Sequence, residues 1–289
     1  MVVVQDLLIA LGLVTALAAA TYSTWSPCGQ SMLSQITPLG ERSRGHSFGF
    51  TASWFIGGAL VGGAMLGGIV AVLAAAPSAA DLTATTALAA TAVLALTAAA
   101  SDAHTFGVGP PFLRRQVNEE WLVKYRSWLY GFGFGWQIGT GVTTYIMTTA
   151  VLLTVAIAAL TASPVAAFVI CMVFATARGL AVLLSARITS PATLASFHRR
   201  FDALGPSVRR AVIAVQVVVA AVAAGAAWHP VAGVLVLAVA GVVTVGLVSF
   251  GHAAVPQRSS SVPRTPDVSV AGRAAPARTH PGRTSAATR

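Results

Sequence analysis

The chain has 289 residues, of which 56% are hydrophobic and only 9% are charged, against about 25% charged in an ordinary soluble domain. So little charge cannot cover the surface of a water-soluble protein, so the composition excludes an ordinary soluble fold. The net charge of +10 would suit a nucleic-acid ligand. However, six of the arginines lie in the last 32 residues and most others lie between apolar stretches, a pattern that membrane topology explains. We predict a membrane protein whose environment is a lipid bilayer, with no nucleic-acid partner.

Long stretches of the chain contain no Asp, Glu, Lys or Arg. A hydrocarbon core of about 30 Å needs about 20 residues of helix, so each stretch has room for one membrane span or two. A transmembrane β-barrel would need alternating segments of about 10 residues, and these stretches show no such alternation. The prediction is therefore an all-α integral membrane protein. The uncharged stretches are residues 7–40, 45–80, 82–101, 127–177 and 211–257.

Prolines and polar turns divide these stretches into about seven spans. In the first, the sequence Ser26-Pro27-Cys28-Gly29 predicts a kink, because proline removes a backbone donor. In the second, three glycine pairs between 57 and 68 supply small-residue spacings for close helix contact. Thr161-Ala162-Ser163-Pro164 separates the fourth span from the fifth, and Trp228-His229-Pro230 separates the sixth from the seventh. In chain order, the spans are predicted at about 7–30, 48–74, 82–100, 128–160, 164–186, 211–227 and 231–250.

The remaining segments are predicted to be loops and a tail. A polar loop is expected over 101–127, and a basic loop between the fifth and sixth spans contains five arginines from Arg187 to Arg210. Residues 1–254 would form the transmembrane domain. Residues 255–289, rich in Pro, Ser, Ala and Arg, cannot bury a core and are predicted to be a disordered cytoplasmic tail.

The distribution of arginine and lysine predicts the orientation. The loops after spans 1, 3 and 5 and the tail are basic, whereas the turns after spans 2, 4 and 6 contain no Lys or Arg. Because short basic loops stay in the cytoplasm, we expect the amino terminus outside and the carboxyl terminus inside a bacterial plasma membrane. Met1 to Asp6 lack the positive region of a cleavable signal peptide, so the first apolar stretch is interpreted as a retained span.

The spans also suggest an internal repeat. Residues 25–30 interrupt the first span with proline and glycine, and the glycine-rich residues 131–141 interrupt the fourth. Matching interruptions in two halves mark the working site of many membrane carriers. We therefore predict a 3+3 inverted-repeat-like core, with halves at about 1–100 and 127–227, and one extra helix at about 231–250.

Two short motifs resemble a known family. Ser26-Pro27-Cys28 ends the first span and Phe134-Gly135-Trp136 opens the fourth, which resembles the CcdA/DsbD transmembrane family of thiol-reductant carriers. The resemblance implies thiol-disulfide exchange in cytochrome c maturation or disulfide reduction, with one cysteine in each half. Cys28 matches the first family cysteine, but Gly139 stands at the place of the second. The implied partner is a thioredoxin-like thiol protein that forms a mixed disulfide with Cys28.

Other polar or conformationally special residues in the spans are candidates for lining a cavity. Arg178 is the one charge well inside a predicted span, where a charge faces a cavity or partner or extends to the interface. Cys171 lies among apolar residues and is interpreted as structural. No cofactor or metal motif is present. Beside Cys28 as the candidate redox thiol, the candidate cavity residues are Pro27, Gln30, Trp136, Gln137, Gly139, Thr140, Gly141 and Arg178.

Three functions remain open from the sequence. The first is a CcdA/DsbD-like redox protein that works through Cys28. The second is a carrier for a small solute or ion on the same scaffold, in which Arg178 is a counter-charge and Gln137 lines the pathway. The third is a membrane assembly subunit without chemistry of its own.

Overall fold

A computed structural model of the chain describes residues 2–79, 83–104, 124–143 and 145–240. Within these residues the structure is all-helical and contains no strand. The predicted tail at 255–289, the end of span 7 and residues 105–123 of the polar loop lie outside the described residues. The helices are α1 Val2–Ser23, α2 Pro27–Gln35, α3 Pro38–Ser43, α4 Phe48–Ala79, α5 Ala84–Asp102, α6 Ser127–Thr140, α7 Ala150–Leu160, α8 Pro164–Leu180, a 3₁₀ helix Ala181–Arg187, α9 Pro191–Ala227 and α10 Pro230–Ala240.

The described part of the chain contains five helices that are long and apolar enough to cross a membrane. These are α1, α4, α5, α8 with its 3₁₀ extension, and α9. The prediction of a polytopic helical membrane protein is confirmed at this level. Spans 4 and 7 contain shorter apolar helices, α7 and α10, so the count of seven stays a prediction.

Span 1 is a broken helix rather than a kinked one. α1 ends at Ser23 and α2 begins at Pro27, with Ser26 between them as the N-cap of α2. The Ser26 hydroxyl accepts a hydrogen bond from the Gly29 amide at 3.2 Å. Proline at the first helical position lacks the amide that would otherwise need a partner. The Ser-Pro pair therefore ends one helix and starts the next.

Span 4 is also broken, but between α6 and α7 and not across the predicted glycine-rich residues 131–141, because residues 131–140 belong to the regular helix α6. α6 ends at Gly141, whose φ of 66° favours glycine, and the chain becomes helical again at Ala150. Thr148 and Thr149 in this break are buried and hydrogen-bonded to α5. The Thr149 amide in this break donates to the Asp102 carboxylate at 2.8 Å, as a backbone amide without a helical partner requires in apolar surroundings.

The stretch after Arg187 was expected to be a basic loop, and that expectation is wrong. α9 begins at Pro191 and continues for 37 residues. Ser190 caps α9 with a capping box. The Ser190 side chain accepts a hydrogen bond from the Thr193 amide, and the Thr193 side chain accepts one from the Ser190 amide. At 1.5 Å per residue, α9 is about 55 Å long, so part of it extends beyond a hydrocarbon core of about 30 Å.

α4 is central to the packing and lies against both α6 and α8, while α1 packs on α7, α8 and α9, and α5 packs on α9. The contact between α4 and α6 is exceptionally close. A Cβ at Gly135 would lie 1.9 Å from the Phe55 carbonyl oxygen, and one at Gly58 would lie 2.1 Å from the Phe132 carbonyl oxygen. Glycines on both helices therefore let the two backbones touch, in agreement with the packing role predicted for the glycines of span 2.

Candidate functional site

Cys28 is buried at the start of α2. Its relative exposure is 1%, and it belongs to an apolar cluster that includes Leu33, Phe55 and Phe134. Its placement follows from the break in span 1, because Ser26 and Pro27 start α2 and make Cys28 its second residue. The break therefore places the Cys28 side chain in the interior of the helix bundle.

Arg178 approaches the same place from α8. Its side chain is 2% exposed, and one terminal nitrogen donates to the carbonyl oxygen of Ser23 at 3.4 Å. The guanidinium carbon lies 5.8 Å from the centre of the Phe174 ring. Of the two alternatives for this residue, the structure shows the interior one, because Arg178 turns inward to the end of α1.

The structure brings Cys28 and Arg178 together. Arg178 reaches the carbonyl oxygen of Ser23, five residues before the buried Cys28, and the guanidinium group stays charged in proteins. Both cysteines are thiols in the structure. Cys28 can therefore support nucleophilic sulfur chemistry once a partner reaches it.

The break in span 1 also borders a cavity of about 290 Å³. Gln30, two residues after Cys28, lines it together with Tyr22, Trp25 and Arg209. The Gln30 side-chain nitrogen donates to the Trp25 carbonyl oxygen at 3.4 Å. Of the candidate residues around the break, Gln30 lines this cavity, whereas Pro27 is exposed at the first position of α2.

The candidates on α6 lie along its contact with α4 and at its end. A Cβ at Gly139 would lie 2.1 Å from the Ala59 carbonyl oxygen, and one at Gly141 would lie 2.6 Å from the Phe174 ring. Trp136 and Gln137 are half-buried. The Gln137 carbonyl oxygen accepts a hydrogen bond from the Thr140 hydroxyl at 2.7 Å. The Thr140 hydroxyl is therefore bonded to a carbonyl oxygen in the last turn of its own helix.

A buried carboxylate that the sequence interpretation placed in a loop is the centre of a polar network. Asp102, the last residue of α5, is 3% exposed. Its carboxylate accepts from the Thr148 hydroxyl at 2.5 Å, the Thr149 amide at 2.8 Å and the Gln216 side chain at 2.8 Å. Gln216 is fully buried. A glutamine inside an otherwise apolar span was the signal that could have revealed this network.

Arg209 ties this network to the cavity. Its Nε and one terminal nitrogen donate to the main-chain carbonyl oxygen of Asp102 at 3.0 and 2.6 Å. A positive charge at the carboxyl terminus of α5 is favourable because the helix dipole is negative there. Arg209 also lines the cavity beside Gln30. The cavity and the Asp102 network are therefore neighbours.

A second buried carboxylate, Glu41, locks the start of α4 to α6. It is fully buried and accepts hydrogen bonds from the Tyr130 hydroxyl at 2.7 and 2.9 Å and from the Thr51 hydroxyl at 2.5 Å. Arg44 pairs with it at 2.9 Å. Removing one of these partners would leave the buried carboxylate with unmet hydrogen bonds, which is costly. Sequence reasoning missed it, since Glu41 looked like a loop residue.

Among the described residues, no group of three or more His, Cys, Asp or Glu side chains is arranged to hold a metal ion. The site therefore consists of the Cys28–Arg178 pair and the cavity next to the Asp102 network.

Two curated proteins are similar to this chain, and each is named methylamine utilization protein MauF. The protein from Methylobacillus flagellatus is 31% identical over 146 residues, which cover 47% of this chain and 48% of the relative. The protein from Methylophilus methylotrophus is 31% identical over 194 residues, which cover 62% of this chain and 63% of the relative. The chain thus spans about half to three fifths of the curated relatives that it matches. No family model matches the chain, and no solved structure matches it at the same level of significance.

Proposed function

We propose that this chain is a membrane-embedded accessory protein of methylamine utilization whose Cys28 exchanges disulfides with a partner protein. The observation that carries the chemistry is that Cys28 is buried directly after the break in span 1, where Arg178 donates to the Ser23 carbonyl oxygen at the end of α1. The similarity to the two MauF proteins supports the physiological setting. The CcdA/DsbD-like motif around Cys28 supports the same chemistry, with a thioredoxin-like protein as partner.

The proposed exchange balances without any added oxidant. The Cys28 thiolate attacks one sulfur of a disulfide in an acceptor protein, so that bond breaks, a mixed disulfide forms and the other acceptor sulfur leaves as a thiolate. A dithiol donor protein then attacks the Cys28 sulfur and releases the reduced acceptor. The second donor thiol closes the donor disulfide and returns Cys28 to its thiol. The net result is transfer of two electrons from donor to acceptor.

The exchange is intermolecular because the chain has no second cysteine near the first. Gly139 stands where the resemblance implies a partner cysteine. Cys171 lies seven residues before Arg178 on α8, about 10 Å away along the helix, and is fully buried in a different apolar cluster. Cys28 itself is 1% exposed, so a partner reaches it only when α2 or a neighbouring helix moves.

The proposed topology places the protein in a bacterial plasma membrane with the amino terminus outside and seven spans. Under this topology the ends of α1 and α8, and with them Cys28 and Arg178, lie toward the cytoplasmic side.

The test is to trap the mixed disulfide in native membranes. Cells grown on methylamine are quenched with acid and N-ethylmaleimide, and adducts of the tagged protein are resolved on non-reducing gels. We expect a reducible adduct in the wild type and in Cys171→Ser, the matched control, and none in Cys28→Ser. Growth on methylamine should fall in the same variant. An adduct that persists in Cys28→Ser, or full growth of that variant, would refute the proposal.

A second candidate function is transport of a small solute. Its support is that spans 1 and 4 each consist of two helices and that a cavity of about 290 Å³ lies at the break in span 1. On this alternative, Arg178→Ala or Gln137→Ala abolishes uptake of labelled methylammonium into proteoliposomes while Cys28→Ser leaves it unchanged. If neither uptake nor an adduct is found, the assembly-subunit alternative is favoured.

A further inference from the structure

We propose that a groove between the end of α8 and the start of α9 binds one anionic phospholipid. The groove encloses about 480 Å³. We call it the arginine groove, and the residues that define it here are Leu184, Arg187, Phe197, Arg200 and Leu204.

Two arginines border the arginine groove from different elements. Arg187 ends the 3₁₀ helix, and Arg200 lies on α9. Both side chains are exposed, and neither has a carboxylate partner among the ion pairs of the described residues. Asp202, the nearest acidic residue in sequence, lines the other cavity. The groove therefore presents positive charge to a phosphate group, which arginine binds in a bidentate manner.

The remaining wall of the groove is apolar. Leu184 and Leu204 are each 55% exposed, and Phe197 also lines the groove. A headgroup alone would bury none of this apolar surface, whereas an acyl chain next to the phosphate would cover it. The combination of two cations and an apolar wall matches the two chemical parts of a phospholipid.

The floor of the groove is rigid. The Trp25 ring stacks on Phe201 with centroids 4.2 Å apart and planes 6° from parallel, and its indole nitrogen donates to the Phe201 carbonyl oxygen at 2.8 Å. A preformed floor lowers the ordering cost of binding.

The groove is also placed where a lipid headgroup lies. The apolar spanning segment that begins at Pro164 ends at Arg187, and the charged residues 199–210 of α9 precede its uncharged part. Basic pockets between transmembrane helices at the membrane surface bind anionic headgroups. A lipid source is therefore favoured over a free phosphate compound.

The test is titration of the purified full-length protein with phosphatidylglycerol, measured by native mass spectrometry. The Arg187→Ala/Arg200→Ala variant should bind about 30-fold more weakly, because each arginine near an anionic headgroup contributes about a factor of five. The matched control, Arg199→Ala/Arg210→Ala, removes the same charge from exposed positions outside the groove lining and should bind like the wild type. Ser196→Trp, which fills the groove and keeps both arginines, should also lose binding.

Each alternative has its own result. Unchanged phosphatidylglycerol binding in the Arg187→Ala/Arg200→Ala variant would overturn the proposal. Equal affinity of the wild type for phosphatidylcholine would show an apolar surface without headgroup selection and would also overturn it. If glycerol 3-phosphate, which has no acyl chain, competes at equal concentration, the site is for a free phosphate and not for a lipid. Thermal melting of the variants confirms that each one is folded.

Discussion

Adding one methyl group at Gly135 is expected to destabilise the helix bundle by about 2–3 kcal/mol. The new Cβ would lie 1.9 Å from the Phe55 carbonyl oxygen, where ordinary contact begins at 3.4 Å. Because the obstacle is helix backbone, the clash is relieved only if α6 and α4 separate by about 1.5 Å, and overpacking of this kind costs about 1–3 kcal/mol. The same pair of helices is in close contact at Gly139, so the separation would also open that contact.

The assay is thermal unfolding of the purified protein in detergent, followed by intrinsic fluorescence. Gly135→Ala should lower Tm by about 5–10 °C, given about 2–4 °C per kcal/mol for a chain of this size. Gly57→Ala is the matched control, because a Cβ there meets nothing within 4 Å. The control should be neutral or slightly stabilising, since alanine is the better helix former. Equal Tm values for the two variants would refute the conclusion that the glycines set the distance between α4 and α6.

Two further predictions concern the buried carboxylates. Tyr130→Phe removes the hydroxyl that donates to both Glu41 oxygens, and we expect a loss of about 1–3 kcal/mol, measured as a lower Tm; a Tm equal to that of the wild type would contradict the assigned bond. Asp102→Ala leaves a buried amide, a hydroxyl and the Gln216 side chain without their acceptor, at a cost of about 3 kcal/mol. Asp202→Ala, at an exposed position, is the control and should unfold like the wild type.

The sequence predicted the features of the fold that depend on local chemistry. Uncharged stretches of the length of a membrane span indicate helices in lipid, and the break in span 1 occurs where Ser26 and Pro27 change the backbone. These residues act within a turn of their own position, so their effect can be predicted without knowing the fold.

The start of α9 shows where local reasoning failed. The arginines between Arg187 and Arg210 suggested a loop, because charge marks the boundary of a span. The Ser190 capping box and Pro191 start a helix there instead, and the apolar side chains of Phe197 and Phe201 bury one face of it against Trp25. Charge density alone cannot distinguish a polar loop from an amphipathic helix at the membrane surface.

The polar networks could not be predicted for a different reason. The Asp102 carboxylate is bonded to residues 46, 47 and 114 positions later in the chain, and Glu41 is bonded to Tyr130, 89 positions later. Single residues at loop ends carry no pattern that identifies such partners. The approach of Arg178 to Cys28 is of the same kind, since it requires the end of α1 and the end of α8 to meet.

The buried polar groups share one end of the bundle, which has a consequence for how Cys28 is reached. α1, α5 and α8 approach this end with their carboxyl termini, where Ser23, Asp102 and Arg178 lie, while α4 begins there beside Glu41. When this end opens, water can replace the hydrogen bonds that are broken, whereas nothing replaces lost apolar packing, so opening here costs less than opening an apolar interface. Movement that exposes the Cys28 sulfur is therefore expected at this end, beside the cavity lined by Gln30, and not through the apolar packing between α1 and α7.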